Sequence, residues 1–221
     1  GKTAAFLIPL IERVLQNPRE QILIASPTRE LALQIEQELR GLTKGMRINS
    51  IACIGGENIR IQTRQLRYKS NFIIGTPGRL TDLVKRGTLI LSGVHVVVLD
   101  EADRMLDMGF KPDIERILKF VPKKRQTMLF SATIPGEVVS IGARHMKLPV
   151  HVEVAPSGTA AERIVQELFI VKKESKKKLL AKLLDQYRGS VLLFSRTKRG
   201  AGRIRRMVKE LGHNAAEIHS D

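Results

Sequence analysis

Three carboxylates fall within four residues, at Asp100, Glu101 and Asp103, directly after the apolar run Val96-Val97-Val98-Leu99. Carboxylates crowded in this way repel one another unless a cation lies among them. Mg²⁺ carrying nucleotide phosphates answers that need, because it takes one or two carboxylates plus substrate oxygens. Gly1-Lys2-Thr3 has the residue types for the other half of such a site. A lysine there reaches the β/γ-phosphates and a threonine hydroxyl binds Mg²⁺. Each stretch also has a plainer explanation. Asp and Glu favour the first turn of any helix, and a Gly-Lys-Thr triplet without its upstream loop says little alone.

Chemistry of this kind needs elements that bring residues 1–3 and 100–103 together. An apolar run without alternation suits a strand buried on both faces of a parallel sheet. The acids would then stand at its carboxyl end, where open α/β sheets bind ligands. Further strands are expected over 21–26, 47–54, 72–75 and 127–130. Helices are expected over 4–16, from the Pro27 region to 42, over 59–69, from Thr76 to 86, over 111–120, and from Pro135 onward. Strands alternating with helices imply βαβ units, hence an α/β fold with a parallel sheet. Residues 1–155 form this first domain. A Pro/Ser/Gly-rich stretch around Ala155-Pro156-Ser157-Gly158-Thr159 marks a linker over 156–163. Beyond it, strands over 164–171, 190–195 and 214–219 and helices over 174–187 and 198–211 indicate the start of a second α/β unit.

The 221 residues carry 38 Lys+Arg against 22 Asp+Glu, a net charge of +16. Such a balance points to a polyanion, nucleic acid first and an anionic membrane second. No apolar run approaches the ~20 residues that span a bilayer, and no leader-like pattern is visible. Cys53 is the single cysteine, which excludes an intrachain disulfide or a cysteine-rich zinc site. His95, His145 and His151 lack ligand spacing. Aromatic residues are 4% of the chain, with no Trp, so backbone contacts rather than base stacking would dominate nucleic-acid binding.

Six short motifs stand after successive expected strands or at the chain start: Gly1-Lys2-Thr3, Pro27-Thr28-Arg29-Glu30-Leu31-Ala32, Gly55-Gly56, Thr76-Pro77-Gly78-Arg79, Asp100-Glu101-Ala102-Asp103 and Ser131-Ala132-Thr133. The set and its order closely resemble the DEAD-box ATP-dependent RNA helicase family, in its bacterial-type core. Arg104 to Phe110 and Leu192 to Lys198 also resemble that family. Ile218-His219-Ser220-Asp221 does too, although Ser220 stands where the family commonly has Gly. The resemblance implies a RecA-like parallel sheet flanked by helices, followed by the start of a second RecA-like domain. It implies ATP and Mg²⁺ as cofactors, with Gly1, Lys2 and Thr3 at the phosphates, Thr3 and Asp100 at the metal (partly through water), and Lys2, Asp100 and Glu101 catalytic. Glu101 would polarise the attacking water. Pro27, Thr28, Arg29, Gly55, Gly56, Thr76, Pro77, Gly78 and Arg79 would contact the RNA backbone, with little sequence specificity. Asp103, Ser131 and Thr133 would couple nucleotide state to domain closure. A monomeric, cytoplasmic protein without a membrane partner is implied, with ribonucleoprotein or RNA-decay assemblies as candidate partners.

Taken singly, these residues have simpler roles: Gly55-Gly56 as a turn, Thr76-Pro77 as a helix start, Ser131 and Thr133 as caps, Arg29 and Lys176-Lys177-Lys178 as solvated surface, and Cys53 as core. An RNA-binding or regulatory chain without turnover, and a DNA-unwinding relative, stay open beside the helicase. A start without Met and an end after an apparent strand suggest a fragment. The resemblance places an adenine-reading segment and a strand beside the Asp100 strand before Gly1, and γ-phosphate arginines after Asp221. On that expectation, residues 1–221 alone would be inactive and poorly folded.

Overall fold

The computed structural model describes residues 2–153 and 165–219. Gly1, the linker over 156–163, Ile164, Ser220 and Asp221 lie outside the described residues. The chain divides into two compact units, Gly1–Thr159 and Ala160–Asp221.

The first unit alternates as expected: α1 (Lys2–Gln16), β1 (Gln21–Ala25), α2 (Arg29–Leu42), β2 (Ser50–Cys53), α3 (Ile59–Gln65), β3 (Phe72–Gly75), α4 (Pro77–Lys85), β4 (Val94–Leu99), α5 (Ala102–Asp107), α6 (Lys111–Phe120), β5 (Gln126–Leu129) and α7 (Gly136–His145). All strand pairs are parallel, in the order β2-β3-β1-β4-β5. Adjacent residues of one strand serve opposite faces. Leu23 and Ala25 join Val97 and Leu99 in one core with α4, α5 and α6, while Ile22 and Ile24 join Val96 and Val98 in the other with α1 and α2. Both faces are therefore covered, which is why these strands read as unbroken apolar runs.

The register aligns the strand ends. Cys53 pairs with Gly75, Gly75 with Ala25, Ala25 with Leu99, and Leu99 with Leu129. Each motif after Gly1-Lys2-Thr3 begins within two residues of this row. The chain leaves β1 toward β2 and leaves β4 toward β5, so neighbouring strands send their connections apart. That divergence opens a crevice at the carboxyl ends of β1 and β4, the place where doubly wound sheets hold ligands.

Three expectations need correction. The Asp100 strand does not lack a neighbour: β4 lies between β1 and β5, because α6 returns the chain to its far side. The strand expected over 47–54 narrows to β2, since Asn49 O instead accepts from the N–H groups of both Asn71 and Phe72 at 2.9 and 3.1 Å. In the second unit, α8 (Lys176–Gln186, preceded by a short 3₁₀ turn over Lys173–Ser175) and α9 (Lys198–Glu210) form, but no strand is assigned among its described residues. A strand exists through its ladder with a neighbour, and segments 165–170, 190–195 and 213–219 have no such ladder. Their apolar side chains stay outside, with Ile170 93%, Phe194 87% and Ile218 92% exposed.

Candidate functional site

Lys2 opens α1 and Asp100 follows β4. The Lys2 ammonium lies 3.0 Å from Asp100 Oδ1, and the Asp100 side chain is only 6% exposed. Asp100 is fixed from both sides: its N–H donates to Ala25 O at 2.9 Å, and its Oδ1 accepts the Glu101 N–H at 3.1 Å. Thr3 is half-buried in the same first turn of α1. The crevice between β1 and β4 thus holds a nearly buried carboxylate, an ammonium and a neighbouring hydroxyl.

Glu101 adopts φ 52° and ψ 53°, a left-handed conformation that a side chain makes costly. The turn starts α5 directly after the strand and leaves the Glu101 carboxylate part-exposed, paired with Arg104 Nη1 at 3.2 Å. Both explanations of the acidic stretch are therefore realised: it lies at a strand's carboxyl end and it begins a helix.

Asp103 joins α5 to the segment after β5. Its Oδ2 accepts the Thr133 N–H at 2.9 Å and the Thr133 hydroxyl at 2.8 Å. Its own N–H donates to Ser131 Oγ at 3.2 Å, and the Ser131 hydroxyl donates to Thr133 O. Burial works to raise the Asp103 pKa, but the bonds from Thr133, Arg104 N–H and Ser131 outweigh it and hold the carboxyl below its ordinary range.

Around the carboxyl ends of β1, β2 and β3, two arginines close on one loop. Gly56 has φ 79°, and a Cβ there would run into the Arg29 guanidinium. Arg79 donates to Glu57 O at 3.3 Å and to Gln62 Oε1 at 2.9 Å. Gln62, fully buried, donates to Ile54 O and to Glu57 Oε2, both at 3.0 Å. Thr28 caps α2, accepting the Leu31 N–H at 3.3 Å. Thr76 precedes α4, where Pro77 takes the first position. Pro27, Thr76 and Pro77 are buried, whereas Arg29 and Gly56 are exposed. Cys53 is core as expected, its thiol pushed up to about 12 by burial.

Residues 1–141 match the family described as DEAD/DEAH box helicase. The chain belongs to that family. It is 43% identical, over its whole length, to the DEAD-box ATP-dependent RNA helicase CshA of Geobacillus kaustophilus, of which it covers 48%. Against CshA of Bacillus subtilis the identity is 42%, again over all of this chain and 45% of the relative. The chain thus spans about half the length of the curated relatives it matches. A crystal structure of a DEAD box protein from the hyperthermophile Methanococcus jannaschii superposes with a TM-score of 0.67 at 36% identity, covering all of this chain and 59% of that one.

The DEAD-box motifs fall into three groups: Lys2 with Asp100, Asp103 with Ser131 and Thr133, and Arg29 with Gly55-Gly56 beside Arg79. Sequence reasoning passed over Gln62, the buried amide that holds Arg79 to the loop. Its signal was there, a polar residue on the apolar stripe of α3 between Ile59 and Leu66. The left-handed turn at Glu101 had no signal, since Glu is not a residue that favours it.

Proposed function

We propose that the protein carrying this chain is an ATP-dependent RNA helicase, an enzyme that hydrolyses ATP and uses the cycle to bind RNA and locally separate duplexes. The observation that carries this reading is the ion pair of Lys2 with the nearly buried Asp100 in the β1/β4 crevice, at 3.0 Å. An ammonium beside a carboxylate at that place suits a phosphate chain with its cation. Thr3 and Asp100 offer hard oxygen donors of the kind Mg²⁺ takes, and Asp100 already holds a cation, so the residues fit that ion. Bound there, Mg²⁺ would neutralise charge on the β/γ-phosphates.

The chain's own groups do the rest. Lys2 turns from Asp100 to the phosphate oxygens. Glu101, strained outward and held by Arg104, orients the attacking water and takes its proton as the γ-phosphate leaves ADP. Asp103 ties the acidic stretch to Ser131 and Thr133, so movement at the nucleotide is felt in that segment. This is the coupling to domain closure that family membership supports. Pro27, Thr28, Thr76, Pro77 and Gly78 set helix starts whose N–H groups face anions. Arg29, Gly55, Gly56 and Arg79 line the loop where an RNA backbone would pass.

The same reading takes residues 1–155 as the ATP-binding domain and 164–221 as the start of the second. It makes the protein a cytoplasmic monomer acting on RNA, alone or in ribonucleoprotein or RNA-decay assemblies. No helix among the described residues is long and apolar enough to cross a membrane. The test is phosphate release by the full-length protein with ATP, Mg²⁺ and RNA, beside a Lys2→Ala variant. RNA-stimulated turnover abolished by Lys2→Ala is the expected result. RNA binding without turnover, or stimulation by DNA in place of RNA, would overturn the reading.

A further inference from the structure

Beside the loop that bears Gly55-Gly56, α3 and the turn after it present a row of arginines with no counterpart in the family motifs. Arg60 and Arg64, four residues apart, share one face of α3, and Arg67 follows in the turn beyond the C-cap Leu66. With Thr63, Ile59 and Arg86 of the α4 cap they line an open cleft of about 490 Å³. All four arginines are exposed. Among the described residues only Arg86 is in an ion pair, with Asp82 at 2.8 Å. Three like charges thus converge on one groove without an acid to balance them, an unfavourable arrangement that an anion relieves. Guanidinium forks suit phosphate oxygens, which they grip with two parallel bonds.

We propose that this cleft is an additional binding site for the phosphates of an RNA strand that continues past the Gly55-Gly56 loop. Position favours RNA over an acidic protein segment. Only Glu57 and Asn58 separate Gly56 from the start of α3, so a strand leaving the loop meets the row at once. From Arg60 to Arg64 the row runs about 6 Å at a helical rise, and Arg67 in the following turn extends it, enough to face more than one phosphate. The cleft holds no aromatic side chain, so it would grip backbone and ignore sequence.

The inference rests on the RNA reading above, and its test separates the two. The full-length protein is titrated at several salt concentrations with a short single-stranded RNA, long enough only for the loop, and with a longer one. The variants are Arg64→Gln with Arg67→Gln, and Arg64→Glu with Arg67→Glu. Affinity for the long RNA should fall several-fold, more in the Glu pair, and the salt slope should drop by about 0.7 for each phosphate the variants no longer neutralise. Binding of the short RNA, and the turnover it stimulates, should stay at wild-type values, which also shows that the variants fold. Equal weakening of both RNAs, or no weakening of the long one by variants of a wild type that binds it, would overturn the cleft proposal alone. A wild type that binds neither RNA would overturn the RNA reading and the cleft with it.

Discussion

One oxygen of the Asp103 carboxylate takes both the N–H and the hydroxyl of Thr133, at 2.9 and 2.8 Å. The two residues stand after different strands, so this single oxygen ties the acidic stretch to the segment that follows β5. Thr133→Val keeps the N–H bond and deletes the hydroxyl one. The expected stability cost is small, about 1 kcal/mol, because the pair is exposed. Strand displacement should fall further than phosphate release; equal losses in the two assays would refute a coupling role.

The same network sets a pH dependence. Asp103 has a folded-state pKa below its ordinary value. Its stabilising contribution is therefore fully present above the unfolded value of about 3.9 and is lost as pH falls through the lower folded value. The gap in melting temperature between the wild type and Asp103→Asn should hold steady from neutrality down to about pH 5 and close below about pH 4. A gap that closed near neutrality would point to another group.

Glu101→Gln preserves size and the backbone turn but removes the proton acceptor. ATP and RNA binding should persist while turnover falls by about 10²-fold or more. Near-normal hydrolysis in a steady-state assay would take Glu101 out of the water-orienting role.

Gly56→Ala is limited chiefly by its φ of 79°, because the Arg29 guanidinium in the space of the new Cβ is the exposed end of a flexible side chain and can swing aside. The left-handed backbone costs about 1–2 kcal/mol. Adding Arg29→Ala should therefore recover little of that loss. Denaturant titrations of the two singles and the double measure the coupling, and a double variant that regained most of the loss would show that the arginine rather than the backbone sets the cost.

Gln62→Leu leaves Ile54 O and one arm of Arg79 without partners. We expect a loss of about 1–3 kcal/mol in unfolding free energy. RNA affinity should weaken alike for all sequences, as Arg79→Ala should also do, because both loosen a grip on the RNA backbone. A loss confined to one sequence would mean that bases are read there.

Much of the first unit was legible because both sheet faces are covered, so each strand announces itself as an apolar run that ends at a polar motif. Lys2 and Asp100 could be grouped because their chemistry requires a shared crevice, whereas the tie of Asp103 to Ser131 and Thr133 was legible through the family resemblance alone. Gln62 was harder to see, since a buried amide counts only once its partners are known, and those come from two other segments. The second unit misled for a related reason. Val191 to Phe194 has the composition of a strand, but composition specifies a tendency, whereas a strand also needs a neighbour with matching register.

The aligned row Cys53, Gly75, Ala25, Leu99 and Leu129 divides the first unit into an intolerant end and a permissive one. Side chains alternate faces along a strand, so one inserted residue near that row would turn every following side chain over and lift its motif out of the common plane. At the opposite end of the sheet, the connections over 17–20, 44–49 and 121–125 carry none of the motif residues and none of the cleft arginines. Length polymorphism, epitope tags and fluorescent reporters belong there, where a longer loop adds little closure entropy.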